Sequence, residues 1–130
     1  MSIRTTFPTP IPFKSSAWYT ATLTDRLGVV IPSSALSTLT LTYYAPNYAP
    51  VSPGTNIINN RNAQNVLNAN QVTVSAGGVL TWALTTTDTD ILDSNVNIEV
   101  HTALFEWYGA DVGYGKHEVS LVVERIAKVA

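Results

Sequence analysis

Between residues 38 and 43 threonines and apolar residues alternate without exception, with Leu39, Leu41 and Tyr43 on one parity and Thr38, Thr40 and Thr42 on the other. A period of two sends successive side chains to opposite faces of an extended chain, so this run reads as a strand with one buried face. The same period recurs over residues 17–24, where Tyr19, Ala21 and Leu23 oppose Trp18, Thr20, Thr22 and Thr24. It returns in the last run, where Val119, Leu121 and Val123 oppose Glu118, Ser120 and Glu124. No segment carries a helical period for longer than about two turns, which restricts the chain to all-β folds.

The turn residues divide this pattern into about seven strands. Asp25-Arg26-Leu27-Gly28 ends the first, and residues 29–34 lead through Pro32 into the second. Residues 44–54 hold Pro46, Pro50, Pro53 and Gly54 and must be a loop. A short strand at 55–58 precedes residues 59–70, whose six asparagines predict an ordered loop or one helical turn. Residues 71–84 form a hairpin about Ala76-Gly77-Gly78, with Val72 and Val74 facing the same side as Leu80, Trp82 and Leu84. A helical turn capped by Thr87 or Asp88 is expected within 85–95. Two long strands, 97–108 and 116–127, flank a tip whose Gly109, Gly113 and Gly115 predict flexibility. In the first of them Ile98, Val100 and Leu104 share one parity while Ala103, Phe105 and Trp107 share the other, which predicts a bulge or a strand covered on both faces. The expected fold is an antiparallel immunoglobulin-like β-sandwich, with a jelly roll or barrel as the alternative.

Ahead of the domain at 15–130, residues 1–14 carry Pro8, Pro10 and Pro12 at alternate positions, which forbids helix and imposes an extended arm. Fully extended it reaches about 46 Å at roughly 3.3 Å per residue. Such an arm either docks on its own domain or is laid on a neighbouring subunit, anchored there by Phe7, Ile11 and Phe13.

Composition removes several functions. The 130 residues suit one domain, and with no cysteine there is neither a disulfide scaffold nor a thiol nucleophile nor a cysteine-ligated metal. Seven basic against nine acidic residues, with no basic cluster, argue against nucleic acid as a partner. No apolar run has the length of a signal peptide or membrane span, so no membrane partner and a soluble intracellular product are expected. Charged residues make up only 12% of the chain, which suits strands and surfaces that lie against other subunits.

The segments Ile58-Asn59-Asn60-Arg61-Asn62-Ala63-Gln64-Asn65-Val66-Leu67-Asn68, Gly78-Val79-Leu80-Thr81-Trp82 and Glu99-Val100-His101-Thr102-Ala103-Leu104-Phe105-Glu106-Trp107 resemble small immunoglobulin-like structural proteins of tailed bacteriophages and prophages. Gly115-Lys116-His117-Glu118 and Ala127-Lys128-Val129 fit the same pattern, so the similarity runs over residues 23–129; the arm and the 44–54 loop lie outside it. The resemblance implies a virion protein made in the host bacterial cytoplasm, with no catalytic residues, no cofactor and no metal. Its partners would be other capsid, neck, tail or baseplate proteins and copies of itself.

Several side chains carry chemistry of their own. His101 and His117 lie on strands that a hairpin would pair, with Glu99, Glu106 and Glu118 nearby and Glu99 sharing a face with His101. These could form a metal site or an acid–base pair, but polar pairs on a solvated or subunit-facing sheet account for them more simply. Asp88, Asp90 and Asp93 lack the glycine and terminal glutamate of a calcium loop, and Gly113-Tyr114-Gly115 lacks a following helix to receive phosphate. No serine sits in a nucleophile elbow. Trp82, Phe105 and Trp107 are expected in the core, whereas Trp18, Tyr44, Tyr48, Tyr108 and Tyr114 are candidates for the surface. Together with Phe7, Ile11 and Phe13 of the arm, the tyrosines Tyr44, Tyr48, Tyr108 and Tyr114 form the expected assembly interface. The alternative is a glycan-binding module that mediates adhesion to the host surface, with these tyrosines as stacking platforms.

Overall fold

The computed structural model describes residues 2–6, 10–47, 56–93 and 95–125. The protein is all-β, with two sheets facing each other across one core. The strands are β1 (Ser2–Thr6), β2 (Ile11–Pro12), β3 (Ala17–Thr22), β4 (Thr38–Tyr44), β5 (Gln64–Asn65), β6 (Val72–Val74), β7 (Val79–Leu84), β8 (Ile98–Gly109) and β9 (Gly113–Glu124). A short 3-10 turn at Ser33–Ala35 precedes β4, and there is no α-helix among the described residues. The larger sheet runs β1-β9-β8-β4-β5 with β2 also on β9, and the smaller runs β3-β7-β6.

Alternation builds the core as expected. Leu39, Leu41 and Tyr43 of β4 are fully buried, as are Leu80 and Trp82 of β7 and Val119, Leu121 and Val123 of β9. Val72 pairs with Trp82 and Val74 with Leu80 across the β6–β7 hairpin. The layers meet through aromatic edges: Trp82 of the small sheet lies 5.0 Å from Tyr43 and 5.7 Å from Phe105 of the large one, both nearly perpendicular.

Three expectations need correction. The sheets are not wholly antiparallel, because β1 and β2 run parallel to β9, Ser2 opposite Lys116 and Ile11 opposite Val123. An edge tolerates the proline-rich segment, since Pro12 there need not donate to a further strand. The arm's described residues therefore lie on their own domain, and Ile11, expected as an anchor on a neighbour, is 2% exposed in this core.

Secondly, β8 has no bulge. It pairs continuously with β9 from Ile98 opposite Glu124 to Gly109 opposite Gly113. Its inner face carries Glu99, His101, Ala103, Phe105 and Trp107, and the mixed parity arises because Glu99 and His101 are buried while Ile98 faces outward at 57% exposure. Thirdly, the expected flexible tip is a tight connection of residues 110–112, with the strands zipped up to Gly109 and Gly113. Two of the glycines serve packing: a Cβ on Gly115 would overlap the Trp107 indole, and one on Gly109 would overlap the Ala35 carbonyl, while Gly113 supplies the left-handed turn conformation.

The asparagine-rich stretch forms an ordered loop. Asn59, Asn60, Asn68 and Asn70 adopt the left-handed conformation, which asparagine tolerates better than most residues. Asn68 Oδ1 accepts from Val74 N at 2.8 Å, and Asn70 Nδ2 donates to the Asn65 carbonyl at 2.8 Å. In the 85–90 turn the capping residue is Thr85: its hydroxyl accepts from Asp88 N while the Asp88 carboxylate accepts from Thr85 N.

Candidate functional site

The two ends of the large sheet differ in chemistry. At the end where β8 begins, ionisable groups are sunk into the core. Arg61 is 1% exposed and grips Asp88 through Nε at 2.7 Å and Nη2 at 3.0 Å, with its Cζ 5.8 Å from the centre of the Trp82 ring. Its remaining donors reach Gln64 Oε1, the Asn70 carbonyl and Gln71 Oε1. Burial by itself would raise the Asp88 carboxyl, but hydrogen bonds from Arg61, Thr85 and Asn59 outweigh it and hold the group below its ordinary value.

The chain of contacts continues through Tyr43, whose hydroxyl lies 2.8 Å from the Asp88 carbonyl and 2.9 Å from His101 Nδ1. His101 Nε2 is 2.7 Å from Glu99 Oε1, and the Glu99 carboxylate also accepts from the Leu92 and Asp93 backbone N–H groups. Three links between two terminal acceptors need three protons, whereas a neutral tyrosine and a neutral histidine supply two. An imidazolium would complete the count. Burial opposes it more strongly than Glu99 favours it, so His101 titrates below its ordinary value and is neutral at pH 7. Burial, reinforced by the Asp88 charge, pushes the Tyr43 hydroxyl well above its ordinary range.

His117 stands apart from this network. It pairs with Phe105 across the hairpin, four residue steps from the Leu121 that opposes His101, roughly 13 Å along the strand. Its Nε2 bonds to the Tyr19 hydroxyl, its Nδ1 is buried without a hydrogen-bond partner among the described residues, and burial lowers its pKa. Glu106 and Glu118 lie on the opposite face of the sheet, where Glu106 meets Lys116 at 3.6 Å. Apart from the Glu99–His101 pair the histidines and glutamates therefore do not converge, and among the described residues no three His, Cys, Asp or Glu side chains group as metal ligands. Nor are Glu99, His101 and His117 solvated polar pairs, since all three are buried.

The other end exposes apolar side chains. Here the 25–28 turn and the β8–β9 tip flank two clefts that share Asp25, Arg26, Val112 and Gly113, one walled also by Tyr114 and the other by Leu27 and Asp111. Leu27 and Tyr114 are each 80% exposed, Val29 59% and Val30 43%. Tyr108 and Tyr114 pair across the hairpin with ring centroids 4.4 Å apart.

The expected interface residues are mostly dispersed. Among the described residues only Tyr108 and Tyr114 meet. Tyr44 lies opposite Thr102, six positions from Tyr108 and thus roughly 20 Å away along β8. Phe13 is half-buried against the Arg125 guanidinium at 4.6 Å, and Ile11 is in the core. Phe7 and Tyr48 lie outside the described residues. Leu27, Val29 and Val30 were missed because a turn sequence containing Asp25 and Gly28 reads as solvent-facing punctuation, and only their contiguity in space gives them significance. Arg61 and Asp88 were missed as a pair because nothing in a sequence links residues on separate loops.

Comparisons of the chain with family models, with curated proteins and with solved structures each found no match. No helix among the described residues is long and apolar enough to cross a membrane.

Proposed function

We propose that the protein is a non-enzymatic, immunoglobulin-like building block of a tailed-phage particle, made in the host bacterial cytoplasm and carried in the virion. The strand orders support the immunoglobulin-like reading. A three-stranded β3-β7-β6 sheet faces β9-β8-β4-β5, which corresponds to the second, fifth and fourth strands of that fold opposite its last, sixth and third strands plus one added edge. The inter-sheet disulfide of antibody domains has no counterpart, and the Tyr43–Trp82–Phe105 edge contacts occupy the middle of the core in its stead.

The observation that carries the assembly role is the exposed apolar end. Leu27 and Tyr114, both four-fifths exposed, line two clefts that share Asp25, Arg26, Val112 and Gly113, and Val29 and Val30, next to Leu27 in the chain, are exposed as well. Large exposed apolar side chains gathered at one end of a lone domain mark an interaction site, and tyrosine, with its large ring and polar tip, is a preferred anchor. Its partner is another virion protein, and repeated copies turn weak single contacts into a stable particle. A complementation assay tests this: particles grown with the double variant Leu27→Ser, Tyr114→Ser should lack the protein although the soluble variant stays folded. Incorporation at wild-type occupancy would refute the reading.

A further inference from the structure

Among the described residues Trp18 is the most exposed aromatic outside the apolar end, at 69%. It stands on the outer face of β3, a terminal strand of its sheet, and its cross-strand neighbour is only Ala83. The indole face is therefore open on one side to an alanine and on the other to solvent. Beside it lies a cleft of about 280 Å³ with Ser16, Gln71, Ala83, Thr85 and Thr86 in its walls. Every residue lining that cleft is uncharged.

Gln71 is held in place from inside the protein. Its Oε1 accepts from Arg61 Nη2 at 3.0 Å, its carbonyl accepts from Ala83 N at 2.9 Å, and its backbone is left-handed with φ of 70°. Arg61 can only donate, so the amide oxygen must face it, and the part of the amide not engaged there is its pair of N–H donors. A non-glycine residue held in this conformation is locally costly, and such positions cluster where side chains are aimed for binding.

We propose that this face is a carbohydrate subsite, in which Trp18 stacks on the C–H face of a neutral pyranose ring while the Gln71 amide and the Ser16 and Thr86 hydroxyls bond its hydroxyl groups. An aromatic plate beside mainly apolar walls that carry a few uncharged donors and acceptors matches a ligand with one apolar face and a polar rim. An ionic ligand would need the charge that these walls lack. The subsite is independent of the assembly role, since the cleft at Trp18 shares no lining residue with the clefts at Leu27 and Tyr114.

The tryptophans allow a selective readout, because Trp82 and Trp107 are buried and only Trp18 meets solvent. The full-length protein, labelled with nitrogen-15 at its indoles, is titrated with cellotetraose, chitotetraose and maltotetraose up to about 10 mM, the range in which single-subsite binding is expected. At least one sugar should shift the Trp18 indole signal while those of Trp82 and Trp107 stay still. Trp18→Ala should abolish binding, Trp18→Phe should keep a weakened form, and Gln71→Ala should weaken it about 5- to 10-fold through loss of one hydrogen bond. An unmoved Trp18 signal with all three sugars overturns the proposal. So does equal binding by Trp18→Ala, or a Trp18 shift that follows protein concentration alone, which would make this face a contact between copies. Leu27→Ser, Tyr114→Ser should bind sugar normally, so failure of the assembly reading and failure of this one are distinguishable.

Discussion

The two ends of the large sheet invert the usual distribution of polarity. At one end Arg61, Asp88, Tyr43, His101 and Glu99 carry charge and hydroxyl into the interior; at the other Leu27, Val29, Val30 and Tyr114 carry apolar surface into solvent. The difference separates groups that hold the fold from groups available to a partner. Buried charges are tolerated only when every partner is in place, so the first end is rigid and intolerant of change. Exposed apolar side chains contribute little to the fold that bears them, so the second end can change without unfolding the domain.

The largest effect is expected from Arg61→Ala. It would leave Asp88, 0% exposed, without its main counter-charge, and breaking a buried pair from one side costs about 3–5 kcal/mol. Urea denaturation should show this as a large drop in midpoint. A loss below about 1 kcal/mol would mean that water reaches Asp88 and that the polar end is not sealed.

Next in size is Ile11→Ala, at about 2–5 kcal/mol for a fully buried isoleucine. It tests whether the arm belongs to its own domain. An arm laid on a neighbour would leave the monomer's denaturation midpoint unchanged by this substitution. Deleting residues 1–14 removes Ile11 and the β1 and β2 pairing with β9 together, so the truncated chain should be less stable than Ile11→Ala as well as poorer at joining particles.

Acid should weaken the fold in two stages. His101 and His117 both titrate below the ordinary histidine value of 6.5, so on acidification the unfolded chain takes up protons that the folded chain refuses. Stability is then full above that value and falls as the pH drops beneath it. Asp88, held below 3.8, adds a second loss under that value, because the folded state keeps its carboxylate ionised after the unfolded state has protonated. Unfolding midpoints measured from about pH 8 down to about pH 5 should decline through the histidine stage, and His117→Phe should flatten part of the slope. Glu99, Asp90 and Tyr43 surround His101, so a slope of opposite sign would show that the imidazolium, which completes the hydrogen-bond count, prevails over burial.

Much of this contrast was legible from the chain. Period-two alternation located Tyr19, Leu39, Trp82 and Val119 in the core, and the Val72–Leu84 hairpin followed from its turn residues. Alternation failed at Glu99 and His101, where side-chain chemistry argued for the surface and only the pairing of Tyr43 with His101, 58 positions apart, explains their burial. The turn reading also misjudged Gly109 and Gly115, whereas Gly113, left-handed at φ of 73° with open space around it, is a turn glycine as expected. Glycine has two uses, freedom and room, and only the position of the Trp107 ring shows that Gly115 supplies room. The arm's destination was open because an extended segment carries no record of which sheet edge it meets.

The smallest effect on stability, and the one that most sharpens the contrast, is at the apolar end. Leu27→Ser, Tyr114→Ser removes side chains that are four-fifths in water, so their truncation should change the unfolding free energy by less than about 0.5 kcal/mol per site. Two opposing contributions keep the value small. The Tyr108–Tyr114 ring contact is lost, which such pairs place at about 0.5–1.5 kcal/mol when well packed, but 80% exposure of Tyr114 leaves most of its surface hydrated in either state. Lost particle incorporation together with an unchanged midpoint would assign the end to recognition, whereas a midpoint that falls as far as that of Ile11→Ala would show that the tyrosine pair clamps the hairpin and that both ends serve the fold.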